Sequence, residues 1–264
     1  MEYAKYSEKK SFPWLVIITA GLVVTAVVIA IIALSAGSGS KDKKKAKGTE
    51  SESGISSADT SSEETDKLVM EEHDSWRLML VNSTNPTPNG YAPPEITKVS
   101  GGEIDSRISQ QFNEMIKASK QDGVDLALAS SYRTYTLQSG LYNAEVNSHK
   151  AMGKDQATAE ADAAKEVARP GTSEHVTGLA LDIVYGNYYK THKQLETDFD
   201  ESKEFKWLQE NAHNHGFIMR YPKDKTDITG VMYEPWHYRF VGLKNAQYMK
   251  ENNLTLEEYL ELFE

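Results

Sequence analysis

An uncharged apolar run at residues 14–36 constrains this chain more than any other feature of its sequence. The 23 residues are rich in Val, Ile, Leu and Ala. As a helix they would extend about 34 Å, which is enough to cross the hydrocarbon core of a bilayer. We predict a transmembrane anchor that follows a short tail, residues 1–13. A cleaved signal peptide is the alternative, because Ala33 and Ser35 have the small-x-small spacing of a cleavage site.

Residues 37–72 follow the apolar run and are rich in Ser, Gly, Lys, Glu and Asp. Such a segment buries too little apolar surface to offset the entropy lost on ordering. We therefore predict a disordered linker. Its basic stretch at 41–47 suits contact with anionic lipid or wall polymer, and a plain solvated linker explains it equally well.

The predicted globular domain spans residues 73–264, and roughly 190 residues suffice for an independent core. The chain has no cysteine, which excludes disulfides, thiolate metal ligands and a cysteine nucleophile. Any metal site must therefore use His, Asp or Glu. The net charge of −10 argues against nucleic acid as a partner.

Periodicity and turn signals predict helices interspersed with short strands. The predicted helices are residues 106–121, 136–151, 155–168, 204–215, 243–251 and 256–263, the first of them capped by Asp105. The predicted strands are residues 124–129, 179–184 and 236–241, with an early extended segment at 76–81. This mixture indicates an α+β fold.

Residues 169–182 carry the first group of chemically active side chains. The Pro170-Gly171 pair favours a turn, and the following residues alternate as in a strand. Alternation places Asp182 on a face of small residues, with the larger aliphatic residues on the other face, toward the core. His175 lies just before this strand, where its ring can approach Asp182.

A second group lies at Glu234-Pro235-Trp236-His237. Pro235 disfavours the α conformation at Glu234, so this is not a helical His-Glu-x-x-His motif. A bend at Glu234-Pro235 is needed to bring Glu234 and His237 to one site. Two imidazoles and one carboxylate suit a catalytic zinc centre with an open position, and a further carboxylate is needed as general base. Glu234 is the candidate for that base.

These segments resemble the metallo D-alanyl-D-alanine carboxypeptidases, which include the vancomycin-resistance carboxypeptidases and the L,D-carboxypeptidases of Gram-positive walls. Three ordered elements carry the resemblance: Ser130-Ser-Tyr-Arg133-x-x-x-x-Gln138, Ser173-x-His175-x-x-Gly178-x-Ala180-x-Asp182, and Glu234-Pro-Trp-His237. It implies a small α+β zinc peptidase domain with a central antiparallel sheet flanked by helices.

The resemblance also implies roles for seven residues. One Zn²⁺ would be bound by His175, Asp182 and His237. Glu234 would be the general base, and Arg133 would stabilise the oxyanion or hold substrate. Gln138 and Ser173 would contact substrate. The remaining histidines are predicted to be surface or packing residues: His73, His149, His192, His213 and His215.

The function implied is removal of the terminal D-alanine from peptidoglycan stem peptides, with D,D-cleavage preferred. L,D-cleavage of tetrapeptide stems, endopeptidase cleavage within the stem, and a non-catalytic wall-binding module that retains zinc are the alternatives. We predict a single-pass protein of the cell membrane with its catalytic domain outside the cell. The lysines at 41–47 oppose this orientation by count, but long domains translocate largely regardless of flanking charge.

Overall fold

The computed structural model describes residues 76–263. The predicted tail at 1–13, transmembrane anchor at 14–36 and linker at 37–72, together with His73, lie outside the described residues. Between residues 76 and 263, no helix is both long and apolar enough to cross a membrane.

Two antiparallel sheets form the β structure of the described domain. The strands are β1 (Ile96–Val99), β2 (Gly102–Asp105), β3 (Leu126–Ser130), β4 (Ala180–Tyr185), β5 (Phe217–Met219) and β6 (His237–Phe240). The first two pair as a hairpin, and the other four form a sheet in the order β3-β4-β6-β5. Every pairing in the larger sheet is antiparallel, as the resemblance implied.

Helices surround this sheet. The α-helices are α1 (Ser109–Gln121), α2 (Tyr135–Ala151), α3 (Gln156–Glu166), α4 (Tyr188–Thr191), α5 (Lys203–Asn211), α6 (Thr226–Thr229), α7 (Leu243–Glu251) and α8 (Leu256–Glu261). The 3-10 helices are Trp76–Leu78, Ser106–Ile108, Glu174–Thr177, Thr197–Glu201 and Ala212–His215. The α+β class with an antiparallel sheet flanked by helices is therefore confirmed.

The main core lies between one face of the larger sheet and the helices α1 and α5. Leu179, Leu181 and Ile183 are fully buried in it, which confirms the predicted apolar face of β4. Phe112 and Met115 of α1 pack against the same core. Because alternate residues of β4 face the core, Asp182 points to the other face, where the site lies.

Smaller clusters hold the remaining helices. Met249 of α7 and Tyr259 of α8 are buried in a second apolar cluster with Ile218 of β5. Ala159 of α3 packs against Tyr142 of α2 in a third cluster. The helices α2 and α3 thus form a hairpin whose first turn lies close to the site described below.

Three details differ from the sequence expectations. Residues 76–78 form a 3-10 helix instead of the predicted extended segment. The carbonyls of Arg77 and Met79 accept hydrogen bonds from the buried Arg239 guanidinium. The backbone of this segment is therefore bonded to a side chain and not to a neighbouring strand. The predicted helices at 106–121 and 204–215 each include a 3-10 turn, and the β1–β2 hairpin and β5 were not predicted.

Candidate metal centre

The register of the larger sheet places Asp182 beside His237. In the ladder, Asp182 of β4 lies directly opposite His237 of β6 on one side and Ser130 of β3 on the other. Directly opposed residues on one face have their Cβ atoms close together. The His237 Nδ1 atom consequently lies 2.9 Å from Asp182 Oδ1.

His175 reaches the same aspartate from a 3-10 helix, Glu174–Thr177, that precedes β4. This helix ends at Gly178, whose left-handed φ of +68° lets the chain turn into the strand. The His175 Nε2 atom lies 3.2 Å from Asp182 Oδ2. Its Nδ1 lies 2.8 Å from the backbone oxygen of Ser131. Because a carbonyl only accepts, Nδ1 carries a proton, so in the neutral ring Nε2 is the nitrogen that can offer its lone pair to a metal beside Asp182.

The three side chains fit a zinc ion. One ligand atom from each of His175, Asp182 and His237 lies within 4.8 Å of the other two, and all three residues are buried. Burial alone would raise the pKa of Asp182, but the two imidazoles outweigh it and hold the pKa well below its usual range. A buried anionic oxygen with two imidazole nitrogens matches a catalytic zinc donor set that leaves one position open. The structure thus brings together the predicted ligands.

Glu234 lies at the edge of this donor set because the chain turns at Pro235 and Trp236. The His237 amide donates to the Glu234 carbonyl at 3.1 Å, which closes the bend that the site requires. The turn brings Glu234 Oε2 to 3.6 Å from His237 Nδ1. Burial is the main reason that the pKa of Glu234 is raised to about 7, and the negative charge of Asp182 adds to the effect. This pKa is suited to proton transfer near neutral pH.

Arg133 lies on the other side of Asp182. Its Nη2 is 3.6 Å from Asp182 Oδ2. Its Nε donates to Ser130 Oγ at 3.2 Å and its Nη1 to Gln138 Oε1 at 3.0 Å. These bonds hold the guanidinium plane, and one-fifth of the side chain remains exposed. A fixed cation is therefore available beside the predicted metal position.

The two predicted substrate contacts have different surroundings. Gln138 is buried, and its Nε2 donates to the Ala168 carbonyl at 2.7 Å while its Oε1 accepts from Arg133. Its amide thus holds Arg133 in place, and direct contact with substrate stays a prediction. Ser173 is buried next to the 3-10 helix that carries His175. Its contact with substrate also stays a prediction.

A buried ionic cluster behind the site was not predicted from the sequence. Glu174 accepts hydrogen bonds from Arg220 at 2.8 Å and from Arg239 at 2.7 Å, and all three residues are almost fully inaccessible. Burial alone would raise the pKa of Glu174, but the two guanidinium groups hold it well below its usual range. The only sequence signal was the position of Glu174 inside the Ser173-x-His175 motif.

Two further groups in the described domain have metal-like spacing but different chemistry. Glu145, His149 and Glu166 cluster beside α2 and α3. The Lys154 ammonium lies 3.0 Å from His149 Nδ1. Since an ammonium only donates, a neutral His149 carries its proton on Nε2, between the two glutamates, and offers no free lone pair there.

The second group surrounds His192 near α4, with Glu196 and Asp198. Both carboxylates are exposed, and His192 Nε2 faces Asp198 at 3.2 Å. The His192 ring also stacks on Tyr188, with centroids 4.1 Å apart. These surroundings agree with the prediction that His149 and His192 serve packing and surface interactions.

A buried His-Asp-His set lies at the antiparallel sheet, and Glu234 lies beside this set without belonging to it. This arrangement is typical of a metallohydrolase centre. Residues 102–243 match the VanY family, D-alanyl-D-alanine carboxypeptidase. A D-alanyl-D-alanine carboxypeptidase of Enterococcus faecalis is 42% identical over 215 residues, which cover 80% of this chain and 76% of the relative. The chain therefore belongs to the VanY family of D-alanyl-D-alanine carboxypeptidases, and the predicted family and zinc metallopeptidase class are confirmed.

Solved structures of relatives share this fold. The vancomycin-resistance D,D-pentapeptidase VanY in complex with Zn(II) is 43% identical, with a TM-score of 0.60 over 70% of this chain and 99% of that one. VanYB in complex with D-alanine-D-alanine is 42% identical, with a TM-score of 0.61 over 72% of this chain and 100% of that one. The LD-carboxypeptidase LdcB is 38% identical, with a TM-score of 0.60 over 69% of this chain and 84% of that one.

Proposed function

We propose that this protein is a zinc-dependent D,D-carboxypeptidase that removes the terminal D-alanine from peptidoglycan stem peptides. The observation that carries the proposal is the convergence of His175, Asp182 and His237 on one buried point, with Glu234 beside it. The VanY relatives, one of which was solved with Zn(II) and another with D-alanine-D-alanine, support both the metal and the substrate class.

In this proposal His175 Nε2, Asp182 and His237 Nδ1 hold the zinc ion. When bound, the metal supplies a Lewis acid that polarises the scissile carbonyl and activates water. The His175 tautomer is already set by the Ser131 carbonyl, so its lone pair is directed inward without further rearrangement. Such outer hydrogen bonds raise the basicity of a ligand and fix its orientation.

Glu234 moves the proton of the reaction. Its carboxylate accepts a proton from the attacking water as the water oxygen bonds to the carbonyl carbon. The same carboxyl group then gives a proton to the departing amine nitrogen of D-alanine as the C–N bond breaks. The pKa of about 7 makes both transfers accessible near neutral pH.

Arg133 supplies fixed positive charge. The Arg133 guanidinium is held by Ser130 and Gln138. It lies beside Asp182, next to the predicted metal position. A pre-positioned cation stabilises the negative charge that develops on the carbonyl oxygen, or it binds the terminal carboxylate of the substrate. Only the second role requires a stem peptide with a free C-terminus, which is an exopeptidase substrate.

L,D-cleavage of tetrapeptide stems is the second candidate, because LdcB is 38% identical and is named as an LD-carboxypeptidase. The test is to incubate the purified protein with a pentapeptide stem ending in D-Ala-D-Ala and with a tetrapeptide stem ending in L-amino acid–D-Ala. Products are identified by mass. We expect the pentapeptide to give the higher kcat/KM with loss of one alanine, and release of D-alanine from neither stem would refute the proposal.

A module that retains zinc without turnover is the remaining alternative. Removing the metal with a chelator should abolish D-alanine release, and adding Zn²⁺ back should restore it. A protein that binds zinc and shows no release before or after this treatment would be such a module. Products longer than one residue would instead indicate an endopeptidase.

The membrane location belongs to the same proposal, with the apolar run at 14–36 as the single span and the catalytic domain outside the cell. The run's length and lack of charge support it. We expect the full chain to fractionate with membranes and a chain lacking residues 1–36 to be released from them. Protease added to intact cells should degrade the domain, and protection of the domain would place it inside.

A further inference from the structure

Glu174 uses only one of its two carboxylate oxygens to bind the arginines behind the site. Its Oε1 accepts from Arg220 Nε at 2.8 Å and from Arg239 Nη1 at 2.7 Å. Arg220 is held in turn by Glu257 of α8, at 2.7 and 2.6 Å. Arg239 also donates to two backbone carbonyls near residue 77. The guanidinium groups are thus fixed, and they fix the carboxylate.

The second oxygen, Oε2, faces the back of His237. It lies 3.6 Å from His237 Nε2, on the opposite side of the ring from Asp182. Both atoms are fully buried, and within residues 76–263 neither has a hydrogen-bond partner. A buried donor and a buried acceptor that face each other with no competitor are each other's natural partners.

The choice of ring nitrogen matters for metal binding. In a neutral imidazole, one ring nitrogen carries the proton and the other has a free lone pair. The nitrogen that binds a metal must be the unprotonated one, so the proton lies on the other ring nitrogen. For His175, the Ser131 carbonyl holds that proton on Nδ1. For His237, Nδ1 faces the donor set, so the proton must lie on Nε2.

We propose that Glu174 is a positioning residue for the metal centre, accepting the Nε2 proton of His237 and thereby directing the Nδ1 lone pair at the metal. This inference rests on the proposed zinc function. Arg220 and Arg239 contribute as well, because they bind one oxygen of Glu174 and leave the other oxygen to accept from the imidazole. The cluster then links α8, through Glu257 and Arg220, to a metal ligand.

The first test is zinc affinity of the full chain, measured by competition with a chelator. In Glu174→Gln, the amide oxygen stays with the arginines, which can only donate, and the amide NH₂ faces His237 Nε2. That nitrogen must then accept, which moves the ring proton to Nδ1. We expect zinc affinity to fall about 10–100-fold, the usual effect of losing such an outer-shell partner.

The matched control is Glu258→Gln, which removes a carboxylate of α8 that pairs with Lys225, and which leaves the Glu174 cluster unchanged. It should keep zinc affinity within about threefold of wild type while lowering stability slightly, because it weakens a partly buried ion pair. Equal zinc affinity in wild type and Glu174→Gln would overturn the inference. An equal loss in both variants would overturn it too, since the effect would then come from general loosening.

The second test needs no variant, in case Glu174→Gln does not fold. Nitrogen-15 spectra of the zinc-loaded wild type should show His237 protonated at Nε2, with slow exchange of that buried proton, and bound to the metal through Nδ1. Metal bonding through Nε2 would overturn the inference. A protein that binds no zinc would instead refute the proposed function, so the two failures are distinguishable.

Discussion

Replacing Glu234 with Gln tests the proposed proton transfer directly. The substitution keeps the shape of the side chain and removes its ability to accept a proton. General acid–base catalysis by one group is worth about 10²–10⁴-fold, or about 3–5 kcal/mol of barrier. The Glu234 carboxylate lies 3.6 Å from a metal-ligand nitrogen and has a pKa of about 7, so it has both the place and the basicity for this role. We therefore expect kcat/KM for D-alanine release to fall about 10²–10⁴-fold in Glu234→Gln.

Zinc binding and folding should survive this substitution. Burial disfavours ionisation of the Glu234 carboxyl group, and the negative charge of Asp182 adds to the effect. A neutral amide carries no such cost, so we expect a change in unfolding free energy within about 0.5 kcal/mol. Release of D-alanine by mass, zinc content and thermal unfolding measure the three quantities separately.

Glu210→Gln is the matched control, because it makes the same chemical change at an exposed position of α5. It should match wild type in all three measurements. If Glu234→Gln keeps kcat/KM within about threefold of wild type, another group accepts the proton and the proposed mechanism is wrong. If the variant loses its zinc together with its activity, Glu234 is a metal ligand and not the base.

Three other perturbations test separate parts of the site. Arg133→Lys keeps the charge but loses the forked donors, so kcat/KM for D-alanine release should fall about 10²-fold. Gly178→Ala places a Cβ 2.8 Å from the Asp105 amide nitrogen at a φ of +68°, so chemical denaturation should show a loss of about 1–3 kcal/mol. Burial alone would lower the pKa of His237, but Asp182 and Glu174 outweigh it and raise the pKa to about 9 in the metal-free protein. Zinc must displace that proton, so apparent zinc affinity by chelator competition should rise with pH and level off above about pH 9.

The sequence alone predicted the chemistry of the site better than its surroundings. Asp182 could be placed opposite the core because small and aliphatic residues alternate from Gly178 to Asp182, and Leu179, Leu181 and Ile183 do pack in the core. Pro235 excluded a helical His-Glu-x-x-His motif, whereas the bend at Glu234-Pro235 was required by the proposed site and did not follow from the sequence. The alternation and the proline restriction are local consequences of backbone geometry, which a single sequence carries.

The buried cluster around Glu174 had no such local signal. Arg220 and Arg239 lie 46 and 65 residues further along the chain, and only the fold brings them to Glu174. From the sequence, both arginines resemble surface cations. The 3-10 helix at Trp76–Leu78 was missed for the same reason, since it depends on a side chain more than 150 residues away. The strand β5 has only three residues, too few for periodicity to detect.

The position of each histidine explains which of its nitrogens faces Asp182. His237 lies directly across the sheet from Asp182, so the nitrogen nearer the backbone, Nδ1, is the one within reach. His175 approaches from a separate 3-10 helix and reaches Asp182 with the distal Nε2. Each ring then needs an acceptor on its other nitrogen, and those acceptors differ because the approaches differ. A backbone carbonyl serves His175, whereas Nε2 of His237 faces the carboxylate of Glu174.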